Sequence, residues 1–180
     1  EGFLLGGWTV PTWRAQGPTP PAEAQRPATR LLLAADASGA EQLAEAARRS
    51  AIRVRATLLA RCLGLTPSNI KNPAWMAARC RSLARRHGLT VKVWNERDLA
   101  REGFGGLLAV GGGSAPPPRL VQLEWNPPGP EAGPDPVHVV LVGKGITFDT
   151  GGLDIKPAEG MLAMKTDMMG SAAGAATLAA

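Results

Sequence analysis

The chain has 180 residues, of which 44% are hydrophobic, so it can form one ordinary domain with a core, or one domain with an extension. Its net charge of +5 comes from arginines that are largely dispersed, which is typical of solvated helix faces and argues against a nucleic-acid partner. No apolar run reaches the length of about 18 residues that a membrane-spanning helix requires, so no membrane partner is expected either.

The two cysteines, Cys62 and Cys80, both lie within apolar helical patterns. No CxxC pair and no histidine at metal-ligand spacing accompanies them, so zinc binding or redox chemistry by these thiols is not expected. They are predicted to be buried thiols of a reducing compartment.

The first third of the chain is predicted to contain a linker, a brief strand and a long helix. Residues 15–29 are rich in proline and predict an extended linker. Residues 31–33 are three leucines that form a strand-like run. Ser38 and Glu41 have the spacing of a capping box and predict the start of a helix, for which Gly64 is a candidate end.

A second helix is predicted from local signals at both of its ends. Asn72 and Pro73 supply an N-cap residue and a proline at the first helical position. At the other end, basic residues followed by Gly88 suit a helix C-terminus. The side chains predicted to face inward are Trp75, Met76, Cys80, Leu83 and Ala84.

Beyond Gly88, predicted strands alternate with a short helix. Strands are predicted at 91–94, 107–110, 120–125 and 137–142, with a helix at 97–102 and a loop at 126–136. The glycine-rich turn at 111–114 lacks both the P-loop and the full dinucleotide-binding patterns, so phosphate binding is not expected there. The alternation predicts an α/β fold with a largely parallel central sheet flanked by helices, and sites at the carboxyl ends of its strands.

The predicted strand at 137–142 leads into the stretch that carries the chemistry. After it come Lys144, Asp149, Lys156 and Asp167, among glycines that allow the backbone to approach a bound group closely. Carboxylates are hard oxygen ligands for divalent cations, and one such as Asp149 can bridge two of them. Two cations about 3.5–4 Å apart can lower the pKa of a bridging water and support hydrolysis. Taken singly, each residue is more simply a solvated lysine or a turn aspartate, so the metal-site interpretation depends on the joint pattern.

The run VGKGITFDTGGLDIKP at 142–157, followed by MKTDM at 164–168, resembles the leucine aminopeptidase (cytosol aminopeptidase) family. A second match to that family is LAVGGGS at 108–114 with PPRL at 117–120. The resemblance covers nearly the whole chain, strongly over 57–125 and 137–170 and weakly over 1–30.

The resemblance implies a role for each charged residue of the long motif. Lys144 would be a metal ligand through a neutral amine, Asp149 would bridge two metals, and Asp167 would be a terminal ligand on the metal that Lys144 binds. Lys156 would stay protonated as a catalytic residue that stabilises the developing oxyanion, and Met164 would line the pocket for the substrate's first side chain. Holding Lys144 neutral at pH 7 costs roughly 4.6 kcal/mol against a reference pKa of about 10.4, which a bound dication can supply.

The family also implies cofactors, partners and a location. It implies two divalent cations (zinc or manganese, with magnesium or cobalt as alternatives), peptide substrates with a free N-terminus, a homohexamer and the cytoplasm. Residues 1–30 would be the end of an N-terminal domain and the proline-rich linker, and residues 31–180 the N-terminal part of a zinc-peptidase-like catalytic domain. Lys165 matches no family role and is expected to be a surface cation.

By the same resemblance, part of the catalytic domain is expected to lie beyond this chain. The family's NTDAEGR motif, which supplies another carboxylate ligand, a bridging glutamate and an arginine that holds a bicarbonate base, is not in the sequence. The expected function is a metal-dependent, leucine-type aminopeptidase of which this chain carries part of the dinuclear site, and the chain alone is expected to be inactive. The alternative is a non-catalytic structural relative, or pseudo-enzyme.

Overall fold

The computed structural model of the protein describes residues 1–11, 30–126 and 137–180. The predicted linker at 15–29 and all but the first residue of the predicted loop at 126–136 lie outside these ranges. The described elements, in chain order, are α1 (Gly2–Gly6), α2 (Ala40–Leu65), α3 (Pro73–His87), β1 (Thr90–Trp94), α4 (Glu96–Arg101), α5 (Gly105–Gly111), β2 (Leu120–Glu124), α6 (Ala158–Met161), a 3₁₀ helix (Leu162–Thr166) and α7 (Met169–Leu178).

The long helix α2 forms as predicted, but the predicted capping box at its start is wrong. The Ser38 hydroxyl donates to the Asp36 carboxylate at 2.9 Å, and the Gly39 amide donates to the same carboxylate at 2.8 Å. The N-cap residue is Gly39, which has no side chain to offer. The Asp36 carboxylate therefore accepts the hydrogen bonds at the start of the helix.

The structure confirms α3 together with both of its caps. The Asn72 side chain accepts a hydrogen bond from the Trp75 amide at 2.8 Å, and Pro73 occupies the first turn. Gly88 ends the helix in the left-handed conformation, with φ of 67°. Of the predicted inward side chains, Trp75 is half-buried and the remaining four are buried. Those four are Met76, Cys80, Leu83 and Ala84.

The strands predicted at 91–94 and 120–125 are confirmed as β1 and β2, which pair with each other. They are antiparallel, in a register that runs from Thr90 opposite Glu124 to Trp94 opposite Leu120. The short helices α4 and α5 lie between the two strands and return the chain in the opposite direction. The described residues thus have helices and strands, as an α/β fold requires, and the sheet they contain is this antiparallel pair.

Three other predicted strands are not strands in the described residues. The run at 107–110 lies inside α5, because four apolar residues between glycines have no periodicity that separates helix from strand. Residues 31–33 and 137–142 have no ladder partner among the described residues, and a strand is defined by such pairing. Their side chains are exposed, up to 95% for Val142.

The core lies where α2, α3 and α7 meet one face of the sheet. The buried cluster consists of Leu63, Met76, Cys80, Leu83, Met168, Ala172 and Ala175. Small side chains on α7 let that helix approach α2 closely, and Met169 lies directly over Gly64. Both cysteines are free thiols; Cys80 is buried as predicted, whereas Cys62 is only half-buried. In the ranges described, no helix combines the length and apolar character needed to cross a bilayer.

Candidate metal centre

The backbone at Gly143 and Lys144 crosses the first turn of α7 at very short range. A Cβ atom on Gly143 would overlap the Gly170 carbonyl, and one on Gly170 would lie 2.8 Å from the Lys144 amide nitrogen. The Ser171 amide donates to the Lys144 carbonyl at 2.8 Å. Only glycine at both crossing positions permits this approach, and it brings Lys144 next to the residues that precede α7.

Lys144 and Asp167 form the first ion pair of the site. The Lys144 Nζ lies 3.0 Å from Asp167 Oδ1, and the Asp167 side chain is only 17% exposed. Its second oxygen, Oδ2, is buried and finds no hydrogen-bond partner among the residues that the structure describes. A buried carboxylate oxygen without a donor normally carries a cost, so this atom is suited to binding a further cation.

Asp149 and Lys156 form the second ion pair, in the loop that follows Lys144. Asp149 Oδ1 accepts from the Gly151 amide at 2.8 Å, and Oδ2 lies 3.4 Å from Lys156 Nζ. Gly151 has φ of 91°, and the Lys156 amide closes the loop on the Thr150 carbonyl at 2.9 Å. The positive φ and the nearby Asp154 carbonyl, which a Cβ would overlap, both require glycine at 151.

The two ion pairs belong to one electrostatic cluster. The Gly151 amide holds the pKa of Asp149 below its ordinary range, and the Lys156 and Lys144 ammonium groups add to that effect. Lys144 therefore acts on both carboxylates, by direct contact with Asp167 and through its charge on Asp149. The structure brings together the four charged residues that the sequence singled out, with each carboxylate facing an ammonium group.

The donor set fits part of a metal site. Within the described part of the chain, no three His, Cys, Asp or Glu side chains lie close enough together to hold an ion. Asp149, Asp167 and a neutral Lys144 amine would supply three donor groups of two kinds, and carboxylate oxygens suit magnesium, manganese and zinc. The Lys144 ammonium is the present charge partner of Asp167, so its nitrogen can donate to a metal only after losing a proton.

Met164 is connected to the metal-site residue Asp167 by a backbone hydrogen bond. It is half-buried in the 3₁₀ helix, and its carbonyl accepts from the Asp167 amide at 3.1 Å. Its role in lining a substrate pocket stays a prediction.

Two residues near the centre were not singled out from the sequence, Gly170 and Lys71. Gly170 could have been noticed as the glycine that opens a helix of small residues. Lys71 lies in a polar turn and carried no signal of burial.

Comparison with known proteins agrees with the motif. The family model described as "Cytosol aminopeptidase family, catalytic domain" matches residues 58–180, well over half of the chain. A probable cytosol aminopeptidase of Desulfovibrio desulfuricans is 50% identical over 135 residues, which are 75% of this chain and 26% of that protein. A probable cytosol aminopeptidase of Rhodococcus jostii is 41% identical over 178 residues, 99% of this chain and 34% of the relative.

Solved structures also match this chain. The bottromycin maturation enzyme BotP in complex with Mn superimposes with a TM-score of 0.66 at 41% identity, over 76% of this chain and 28% of that one. This chain spans about a third or less of the length of the relatives that it matches. The match of the family model over residues 58–180 shows that the chain belongs to the cytosol aminopeptidase family.

Proposed function

We propose that the whole protein containing this chain is a metal-dependent aminopeptidase that removes N-terminal residues, of the leucine type, from peptides. Family membership supports the reaction class. The observation that carries the proposal is the cluster in which Lys144 pairs with Asp167 while Asp167 Oδ2 stays buried and unpaired. The remaining ligands would come from the chain downstream of this one, since the matched relatives are about three times as long.

Two divalent cations would complete the centre, zinc or manganese, with magnesium or cobalt as alternatives. The manganese complex of BotP supports a metal of this class. Asp149 would bridge the two ions, and Lys144 and Asp167 would bind one of them. When bound, such a pair lowers the pKa of a bridging water and polarises the scissile carbonyl. The low pKa of Asp149 keeps that ligand ionised at neutral pH.

Lys156 would act on the substrate rather than on a metal. Its ammonium lies 3.4 Å from Asp149 Oδ2 and its side chain is 32% exposed, so it is accessible to a bound peptide. There it would donate to the oxyanion that develops on the scissile carbonyl. Met164, three residues before Asp167, would line the pocket for the first side chain of the peptide.

Further features of the whole protein are proposed by analogy with the family. Residues 137–142 would be a strand of a largely parallel sheet, which their β-branched composition supports. Residues 1–30 would end an N-terminal domain and residues 31–180 would begin the catalytic domain. A homohexamer in the cytosol is proposed by analogy, and the names of the relatives support the location.

A second candidate is a non-catalytic relative. Among the described residues, no three His, Cys, Asp or Glu side chains lie close enough together to hold a metal ion. If the downstream coding sequence lacked further carboxylates, the motif would persist without catalysis.

The deciding experiment is hydrolysis of a leucine anilide with added manganese or zinc. It compares the 180-residue chain, an extended protein that adds the downstream coding sequence, and the extended protein with Asp149→Asn. Asp154→Asn is the matched control, since Asp154 is an exposed carboxylate in the same loop. We expect activity only in the extended protein and its Asp154→Asn variant. If the extended protein is inactive with every metal, or if Asp149→Asn leaves its activity unchanged, the aminopeptidase proposal is wrong. The non-catalytic relative would then be the better proposal.

A further inference from the structure

Lys71 is a buried lysine that joins two distant parts of the chain. Its side chain is fully buried, with 0% of its surface exposed. The Nζ atom donates to the Gly64 carbonyl at 2.7 Å and to the Lys165 carbonyl at 2.6 Å. A buried ammonium is costly unless it is hydrogen-bonded, so both contacts are needed to hold it there.

Both acceptors are carbonyls at the ends of helical segments. Gly64 belongs to the last turn of α2, where carbonyls lack partners within the helix and a cation is favoured. Lys165 belongs to the last turn of the 3₁₀ helix Leu162–Thr166, whose C-cap residue is Asp167. The ammonium of Lys71 thus connects the end of the longest helix to the segment that delivers Asp167.

The geometry relates this connection to the metal centre. Asp167 follows Lys165 by two residues, and its amide donates to the Met164 carbonyl within the same short helix. The next residue, Met168, is fully buried in the core. A shift of the Lys165 carbonyl would therefore move the Asp167 carboxylate away from Lys144.

We propose that Lys71 is a positioning residue for the metal centre: its buried ammonium fixes the 3₁₀ helix to the end of α2 and thereby places the Asp167 carboxylate beside Lys144. This inference rests on the proposed function, because it assigns Asp167 a ligand role. Lys71 touches neither substrate nor metal in this proposal, and Lys165 contributes its backbone rather than its charge.

The test is a double-mutant cycle on Mn²⁺ binding in the extended protein, with MnCl₂ as the probe. Dissociation constants are measured for the wild type, Lys71→Met, Asp167→Asn and the double variant. Lys92→Met is the matched control, since Lys92 is an exposed lysine on β1. Lys71→Met is expected to weaken Mn²⁺ binding about tenfold or more, as loss of a group that orients a ligand usually does. In the Asp167→Asn background, Lys71→Met should weaken Mn²⁺ binding by less than a further twofold, because the ligand that Lys71 positions is already gone.

The outcomes separate this inference from the proposed function. If Asp167→Asn weakens binding while Lys71→Met stays within twofold of the wild type, or if the two losses add fully, the positioning role is wrong and the metal centre stands. If Asp167→Asn has no effect, the metal centre fails and the positioning role with it. Should Lys71→Met not fold, the cycle is repeated with Lys71→Gln, whose shorter amide keeps a donor. If neither variant folds, the proposal that Lys71 specifically positions Asp167 is wrong, because Lys71 would then be required for the fold as a whole.

Discussion

Asp149 and Lys71 are ionisable residues whose pKa values the fold lowers for different reasons. The Gly151 amide, with the nearby lysines, favours the charged form of Asp149 and lowers the pKa of its carboxyl group. Burial disfavours the charged form of Lys71 and, with the neighbouring Lys165 ammonium, lowers its pKa to about 8. At neutral pH Asp149 is therefore ionised and available as a ligand, while Lys71 titrates just above neutrality.

The shift at Lys71 predicts that stability rises with pH. Between the folded pKa of about 8 and the unfolded value of 10.5, the unfolded chain binds more protons, so the free energy of unfolding increases as pH rises through this window. The separation between these two pKa values corresponds to a rise of up to about 3 kcal/mol in the free energy of unfolding. Denaturant unfolding of the chain at pH 7.5 and pH 10.5 measures the rise, which Lys71→Met should remove and Lys92→Met should retain. An equal rise in all three proteins would contradict the assignment to Lys71.

For single residues, the sequence predicted the four charged positions of the motif but not the burial of Lys71. Lys144, Asp149, Lys156 and Asp167 form a motif whose spacing is local information, and the structure brings them into two ion pairs. The buried Lys71 ammonium contacts the Lys165 carbonyl, 94 residues away in the sequence. Burial that depends on such a distant contact leaves no local pattern in the sequence.

Among the elements, those with local end signals were predictable. Helix α3 has its N-cap, its proline and its left-handed glycine within the segment itself, so its sequence defines both ends. The segment at 107–110 has only a short apolar run, which suits a strand and a helix equally, and it forms part of α5. The antiparallel pairing of β1 and β2 was also not predicted from the sequence. The short helices between the two strands reverse the direction of the chain, and the strand sequences carry no sign of that reversal.

The packing of α7 against the segment at 143–145 depends on glycine at one helical position. A Cβ on Gly170 would lie 2.8 Å from the Lys144 amide nitrogen, whereas one on Gly174 would meet nothing within 4 Å. Both glycines belong to the same helix. They therefore form a matched pair in which the same substitution is made in one helix and the steric consequence differs.

Gly170→Ala is expected to lower the free energy of unfolding by about 1–3 kcal/mol, the usual cost of forcing an extra carbon into a packed contact. Gly174→Ala should instead raise it by about 0.5–1 kcal/mol, since alanine loses less backbone freedom in a helix. Denaturant unfolding of the two variants measures both changes. In the extended protein, Gly170→Ala should also reduce leucine anilide hydrolysis, because it displaces Lys144. Equal behaviour of the two variants would show that the close crossing does not constrain α7.

In the part of the chain that the structure describes, a buried core coexists with an exposed apolar segment that pairs with no strand. Residues 137–142 carry four valines and a leucine whose side chains are 54% to 95% exposed. Their backbone groups have no ladder partner among the described residues. An extended, β-branched segment whose backbone donors and acceptors lack such partners can pair with another chain, so we expect this segment to mediate self-association.

This arrangement predicts that the 180-residue chain self-associates in solution and that one charge within the segment reduces the association. Val142→Lys replaces the most exposed of the four valines with a cation, which repels its counterpart in a second copy. Val110→Lys is the control, because Val110 is also exposed, at 70%, but lies on the helix α5 and not on an extended segment. Sedimentation of the three proteins over a range of concentrations should show at least several-fold weaker association for Val142→Lys only. A wild-type chain that stays monomeric at high concentration, or equal weakening by both substitutions, would show that backbone pairing of 137–142 does not drive the association.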